Sequence, residues 1–104
     1  MSVSDADIAF AHELFAPLGD ISSRKMMGGL SIYADGQIFA ILDSEARPYL
    51  KAKGPMAEQL AAAGSHQFGA ESGKVMGYWT LPDAALDDPE TACDWARQAL
   101  VALD

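Results

Sequence analysis

The sequence predicts a small α+β domain in which helices pack on one face of an antiparallel sheet. Three observations support this: apolar residues recur at helical spacing near both ends, short strand-like runs fill the middle, and an Asp-Gly pair separates two of those runs. The chain has 104 residues, a common size for one domain, and contains no repeat or linker-like stretch. We therefore expect a single domain over residues 1–104, built as a two-layer α/β sandwich.

The first helix is predicted to start at Ser4. The Ser4 hydroxyl can accept a hydrogen bond from an unpaired backbone N–H, and Asp7 three residues later completes a capping-box-like pair. Gly19 suits the position that follows the end of the helix. The apolar residues that recur at helical spacing in between are Ile8, Ala11, Leu14, Phe15 and Leu18.

The middle of the chain is predicted to form a meander of three or four antiparallel strands. Asp35-Gly36 is a hairpin signal, because a type I′ turn needs positive φ at both central residues. Gly28-Gly29 favours a bulge or a close backbone approach over a phosphate-binding loop, since the pair lacks the spacing of such loops. The strand-like runs are residues 24–27, which could instead be an irregular lead-in, and residues 30–34, 37–42 and 47–52.

Two more helices and a second pair of strands complete the predicted order. Gly54-Pro55 opens the second helix, because proline is favoured at the first helical position. Residues 74–81 are predicted to form a strand that pairs with Gln67-Phe68. Asp88-Pro89 begins the last helix, with the aspartate as its N-cap. The predicted order is therefore one helix, three or four strands, a helix, two strands and a helix.

The charge balance argues against direct binding to nucleic acid. Acidic residues outnumber basic residues 15 to 7, and the formal net charge is −8 at pH 7. Nucleic-acid binding draws most of its affinity from Lys and Arg on phosphates, so long-range repulsion is expected from DNA, RNA and anionic membranes. The single cysteine, Cys93, excludes an intrachain disulfide, and no apolar run approaches the roughly 20 residues that span a bilayer. The N-terminus lacks signal-peptide features, and we expect a cytoplasmic protein without membrane contact.

Residues that could carry catalysis or bind a metal are sparse. His12 and His66 are far apart, and neither forms a Cys/His pair with ligand spacing, so surface positions are the simpler interpretation. The acidic cluster at residues 87–90 is explained by the cap of the last helix. No nucleophile–base pair or cofactor motif stands out. We therefore predict a protein that is not an enzyme and that uses no metal or cofactor.

Two features of the predicted sheet suggest a binding surface. Residues 38–42 are apolar at every position, whereas a strand with one solvated face should alternate. Both faces would then be covered, by a wrapping helix or by a second copy of the chain, unless the strand tolerates exposed apolar residues. Four aromatic residues could extend the second face: Tyr33, Tyr49, Tyr78 and Trp79.

The second feature is positive charge on or beside the sheet, where it could contact an acidic partner or a small anion. The simpler explanation is that basic residues at strand edges deter edge pairing. The residues concerned are Arg24, Lys25, Arg47, Lys51, Lys53 and Lys74.

Residues 24–40 resemble the signature of the TfoX N-terminal domain family. That signature reads Arg, any residue, Met, Phe, Gly, Gly, then an apolar-Tyr-x-Asp-Gly hairpin and Phe-Ala, and this chain has Met27 at the first Phe position. The resemblance spans roughly residues 15–103. It implies an α-β(3)-α-β(2)-α fold with an antiparallel sheet, similar to that of secretion chaperones. Further matches follow in register at residues 49–52, 78–82, 86–89, 95–96 and 99–100.

The resemblance also implies a link to the regulation of natural competence, and it supplies no catalytic residue. Full-length regulators of this type carry a second, helical domain after the first. We therefore predict a protein-interaction or regulatory module that acts through its sheet surface and associates with a protein partner or with itself as a homodimer. The predicted binding residues are Arg24, Lys25, Tyr33, Phe39, Ile41 and Lys51.

Two alternatives remain open from the sequence. The first is a small-ligand domain that holds an anionic metabolite against Arg24, Lys25 and Lys51. The second is a nucleic-acid-binding regulator, which the competence link suggests and the net charge opposes.

Overall fold

A computed structural model describes residues 3–26, 28–68 and 77–103, which form three helices and one five-stranded sheet. The strands are antiparallel and lie in the order β1-β2-β3-β4-β5, so each strand neighbours the next in sequence. Short 3-10 turns follow α1 and precede α3. The predicted α+β fold is confirmed. The elements are α1 Asp5–Phe15, β1 Ile21–Met26, β2 Gly29–Ala34, β3 Gln37–Leu42, β4 Pro48–Lys51, α2 Pro55–Ala62, β5 Tyr78–Thr80 and α3 Pro89–Leu103.

Four regular strands precede α2, and the first begins earlier than residue 24. Ile21 is paired with Ala34 at one end of β1, and Met26 is paired with Gly29 at the other. The run that starts at residue 24 is therefore the second half of a regular edge strand. Met27, the last residue of the predicted strand, lies outside the described residues.

The predicted pairing after α2 is present over a short stretch. Gln67 forms a bridge with Trp79, and the backbone N–H of Phe68 donates to the Tyr78 carbonyl at 2.8 Å. Residues 74–76, which include Lys74, lie outside the described residues.

Side chains cap the first and last helices as the sequence predicts. Backbone N–H groups at the start of a helix have no partner within it, so a nearby side-chain oxygen stabilises the end. Asp7 N donates to Ser4 Oγ at 3.2 Å, and Ser4 N donates to Asp7 Oδ2 at 2.8 Å. At α3, the Glu90 N–H donates to Asp88 Oδ1 at 3.2 Å, and the Thr91 hydroxyl donates to Asp88 Oδ2 at 2.8 Å. Hydrogen bonds from Thr91 and from the Glu90 N–H lower the pKa of Asp88 below its ordinary value.

The core lies between the helices and one face of the sheet. All the buried residues of the described helices belong to one apolar cluster, together with strand residues such as Leu30, Leu42 and Leu50. Cys93 is fully buried in this cluster, and burial raises the pKa of its thiol. The helix residues that contribute are Ala11, Leu14, Phe15, Met56, Leu60, Ala92, Cys93, Ala96 and Ala99.

A register shift in β3 accounts for two adjacent residues of the apolar run at residues 38–42. Ile32 is paired with Ala40 but Tyr33 with Ile38, so β3 contains one residue, Phe39, without a counterpart on β2. Such a bulge breaks the strict alternation of side chains. The Phe39 ring packs edge-on against the Phe15 ring at 5.1 Å, and Phe39 and Ala40 are both fully buried in the core. The run is therefore apolar partly because two consecutive residues serve the same face.

Two glycine positions meet needs that other residues would not. A Cβ atom at Gly29 would collide with the backbone oxygen of Leu42, which confirms a close backbone approach. In the β2–β3 turn, Asp35 and Gly36 have φ values of 50° and 81°, as the predicted type I′ hairpin requires.

Candidate functional site

The sheet face opposite the helices, called the open face below, carries a row of side chains that crosses all five strands. Paired residues of an antiparallel sheet point to the same side. The register therefore aligns Arg24, Ser31, Ile41, Tyr49 and Thr80. Ile41 and Tyr49 are buried but do not belong to the core cluster that contains the buried helix residues. In the described part of the chain, no helix packs over this row.

A second row lies beside the first on the open face. Tyr33 is paired with Ser22 on one side and Ile38 on the other, and Lys51 is paired with Tyr78. Burial raises the pKa of Tyr78 above its ordinary value, and the Tyr33 hydroxyl makes a smaller contribution in the same direction. The second row therefore carries two tyrosines of the open face, one on β2 and one on β5.

The centre of the open face is apolar. Ile41 is only 3% exposed although it points away from the helices. Tyr49 packs edge-on against Phe68, with ring centroids 5.0 Å apart, and its hydroxyl donates to Asp43 Oδ2 at 3.3 Å. Burial raises the pKa of Tyr49, and the Asp43 carboxylate raises it further. Tyr49 is the cross-strand partner of Ile41, so this ring pair lies beside the isoleucine and keeps the Tyr49 hydroxyl bonded at the margin.

Positive charge flanks this apolar centre. In the five described strands, the charged residues are Arg24, Lys25 and Lys51, and none is acidic. The acidic residues that give the chain its net charge of −8 lie outside these strands. Arg24 is exposed on β1, and Lys51 is half-buried on β4. The open face therefore carries one cation on each side, together with the Asp43 carboxylate that accepts from Tyr49.

The structure brings together four of the six predicted binding residues. Arg24, Tyr33, Ile41 and Lys51 share the open face. Lys25 does not, because it is paired with Leu30, a core residue, and so points to the helix side of the exposed edge strand.

Phe39 is also absent from the open face. Its side chain is fully buried against Phe15, so the prediction that it lies on an accessible sheet surface is wrong. The cause is the bulge in β3, which turns Phe39 toward the helices. Trp79 also lies on the helix side of the sheet, because it is paired with the core residue Leu50.

The three cations predicted to hold one small anion do not converge. Arg24 lies on β1 and Lys51 on β4, so β2 and β3 separate them. At about 4.8 Å between adjacent strands, their backbones are roughly 14 Å apart. Lys25 points to the opposite side of the sheet. This arrangement does not form a single anion site on the sheet.

Sequence reasoning missed two contributors to the open face. Met26 lies two residues after Arg24 on β1, is 40% exposed, and accepts a hydrogen bond at its sulfur from the Ser31 hydroxyl at 2.8 Å. The two-residue strand period could have identified it once β1 was known to be regular. Phe68 reaches Tyr49 through the pairing of residues 66–68 with β5, which no local signal reveals.

The histidines of the described chain show no metal-site geometry. His12 Nε2 lies 2.8 Å from Ser23 Oγ, which ties α1 to β1, and His66 is exposed. Among the described residues, no group of three His, Cys, Asp or Glu side chains could hold a metal ion. Over the same residues, no helix has the length and apolar character needed to cross a bilayer.

Comparison with known proteins identifies one family. The TfoX N-terminal domain family matches residues 13–103, from within α1 to the end of α3, and so includes every described strand. No curated protein sequence matches the chain.

Proposed function

Because the chain belongs to the TfoX N-terminal domain family, we propose that it is a non-enzymatic, competence-regulator-like module that binds a protein through its open face. The main support for this proposal is the composition of that face. Ile41 and Tyr49 form an apolar centre beside Tyr33, and no described helix packs over them. A solvated sheet face ordinarily carries polar residues at these positions. An apolar and aromatic centre inside a polar rim is instead typical of protein interfaces.

We propose a second copy of the chain as the partner. A two-fold dimer uses the same patch on both subunits, so one apolar patch is sufficient. On the open face, the apolar surface available to a second copy comes from the half-buried Tyr33 and Ile38, which lie beside the buried Ile41. The flanking Arg24 and Lys51 favour a second candidate, an acidic protein, because opposite charges steer such partners together.

Solution mass measured by light scattering after size exclusion tests self-association. We expect a dimer for the wild-type chain and a monomer for Tyr33→Asp, which places a charge on the half-buried rim of the open face. Loss of an interface contact that contributes about 2 kcal/mol weakens association by roughly 30-fold. Phe10→Asp is the matched control, because Phe10 is a partly exposed aromatic residue on α1.

A wild-type monomer would refute the homodimer. Binding of an acidic partner would then be tested by reversing the charges of both Arg24 and Lys51, which should weaken that binding. Phe39→Asp is unsuitable for either test, because it would disrupt the core. Cytoplasmic location remains a prediction from the sequence.

A further inference from the structure

A groove of about 720 Å³ lies between the start of α2 and the last two turns of α3, on the helix layer of the fold. Its apolar wall includes Met56 on α2 and Val101 and Ala102 on α3. Val101 is 74% exposed, the most exposed large hydrophobic residue of the described chain. Singly exposed apolar residues are common, but this one borders a concave site whose opposite wall is also apolar.

Two of the seven basic residues line this groove. Lys53 precedes α2 and Arg97 lies on α3, and no described residue lining the groove is acidic. Arg97 Nη1 lies 3.2 Å from Asp94 Oδ1, and Nη2 donates to the Pro17 carbonyl at 3.2 Å. These contacts occupy one N–H on each of the two terminal nitrogens and leave the other guanidinium N–H groups as donors. Within the described residues, Lys53 forms no ion pair.

We propose that this groove binds a small amphipathic carboxylate. Its apolar chain would lie against Met56 and Val101, and its carboxylate would face Lys53 and Arg97. The volume falls within the roughly 300–1,000 Å³ of small-molecule sites, which are mostly apolar with a few convergent polar groups. Lys53 and Arg97 line the groove and no acidic residue does, so the local field favours an anion even though the chain has a net charge of −8 and Asp94 offsets part of the Arg97 charge.

This site differs from the anion site predicted on the sheet. Arg24 and Lys51 lie apart on the open face, whereas Lys53 and Arg97 border one groove that also offers apolar surface. The proposal does not rest on the function proposed for the open face, because the helices occupy the other side of the sheet.

Titration with octanoate, followed by ¹⁵N-¹H NMR of the whole chain, tests the proposal. We expect saturable shifts confined to residues 53–59 and 97–102, and none of comparable size with octylamine, which has the same chain length and the opposite charge. Val101→Asp is expected to weaken octanoate binding at least ten-fold, and its exposure makes misfolding an unimportant concern. Lys53→Gln should weaken binding about three- to five-fold, the scale of one exposed ion pair.

Lys25→Gln is the matched control, because it removes one cation from β1, away from the groove, and should leave octanoate affinity unchanged. Val101→Ser removes the apolar contact without adding charge and should also weaken binding. The proposal is overturned if octanoate produces no saturable shifts at the groove. It is equally overturned if octylamine binds there as well as octanoate, or if the affinity of Val101→Asp equals that of the wild type.

Discussion

Replacing Phe39 with alanine should destabilise the domain strongly, although the sequence alone placed Phe39 on a binding surface. The side chain is 0% exposed, and its ring packs edge-on against Phe15 at 5.1 Å. Truncating a buried phenylalanine costs about 3–5 kcal/mol, because apolar burial is lost and a cavity remains. That is a large part of the roughly 5–15 kcal/mol that stabilises a typical domain. For a domain of this size, we expect a Tm at least about 12 °C lower.

Urea unfolding, monitored by tryptophan fluorescence and by far-UV circular dichroism, measures this loss. The midpoint should fall while the slope against urea is unchanged, since the surface exposed on unfolding is nearly the same. Val101→Ala is the control, because a 74% exposed side chain should change stability by less than about 0.5 kcal/mol. A loss below about 1 kcal/mol for Phe39→Ala would contradict the burial of Phe39 and the bulge that produces it.

Two further predictions concern the backbone and the helix caps. Gly29→Ala should lower the free energy of unfolding by about 1–3 kcal/mol in the same urea assay, because the added methyl group collides with the Leu42 backbone. Gly77→Ala is the control. Its methyl group meets only ordinary contacts, so the substitution should be nearly neutral. Asp88→Ala should lower the Tm at neutral pH. Because the folded-state pKa of Asp88 is depressed, its contribution is present above the unfolded-state pKa and is lost as pH falls through the folded value. The Tm difference should therefore shrink with acid, and a difference independent of pH would show that the carboxylate is not responsible.

Features governed by neighbouring residues could be predicted from the sequence. Ser4 and Asp7 lie three residues apart and cap α1 as expected, and Asp35-Gly36 adopts the positive φ values of its turn. The hydrogen bonds of the cap and the positive φ values of the turn each depend on residues at most three positions apart in the sequence. The close approach at Gly29 was also predictable, because only the absence of a side chain permits it.

Features set by pairing between strands were harder to predict. Ile21 to Ser23 carry little apolar signal, since β1 is an edge strand and only its pairing with β2 defines it. The direction of the Phe39 side chain depends on a bulge in the pairing of β3 with β2. In the sequence, the only sign of that bulge is that apolar and polar residues do not alternate along residues 38–42. The groove beside Lys53 and Arg97 joins residues 44 positions apart, so no local pattern could reveal it.

The most direct test of the central claim, that the open face binds a second copy of the chain, is the concentration dependence of the ¹⁵N-¹H NMR spectrum. We predict that shifts between dilute and concentrated samples cluster at residues such as Ser31, Tyr33, Ile41 and Tyr49, with the amides of α3 unchanged. Shifts confined to the helices, or a spectrum unchanged by concentration with the mass of a monomer, would contradict the claim.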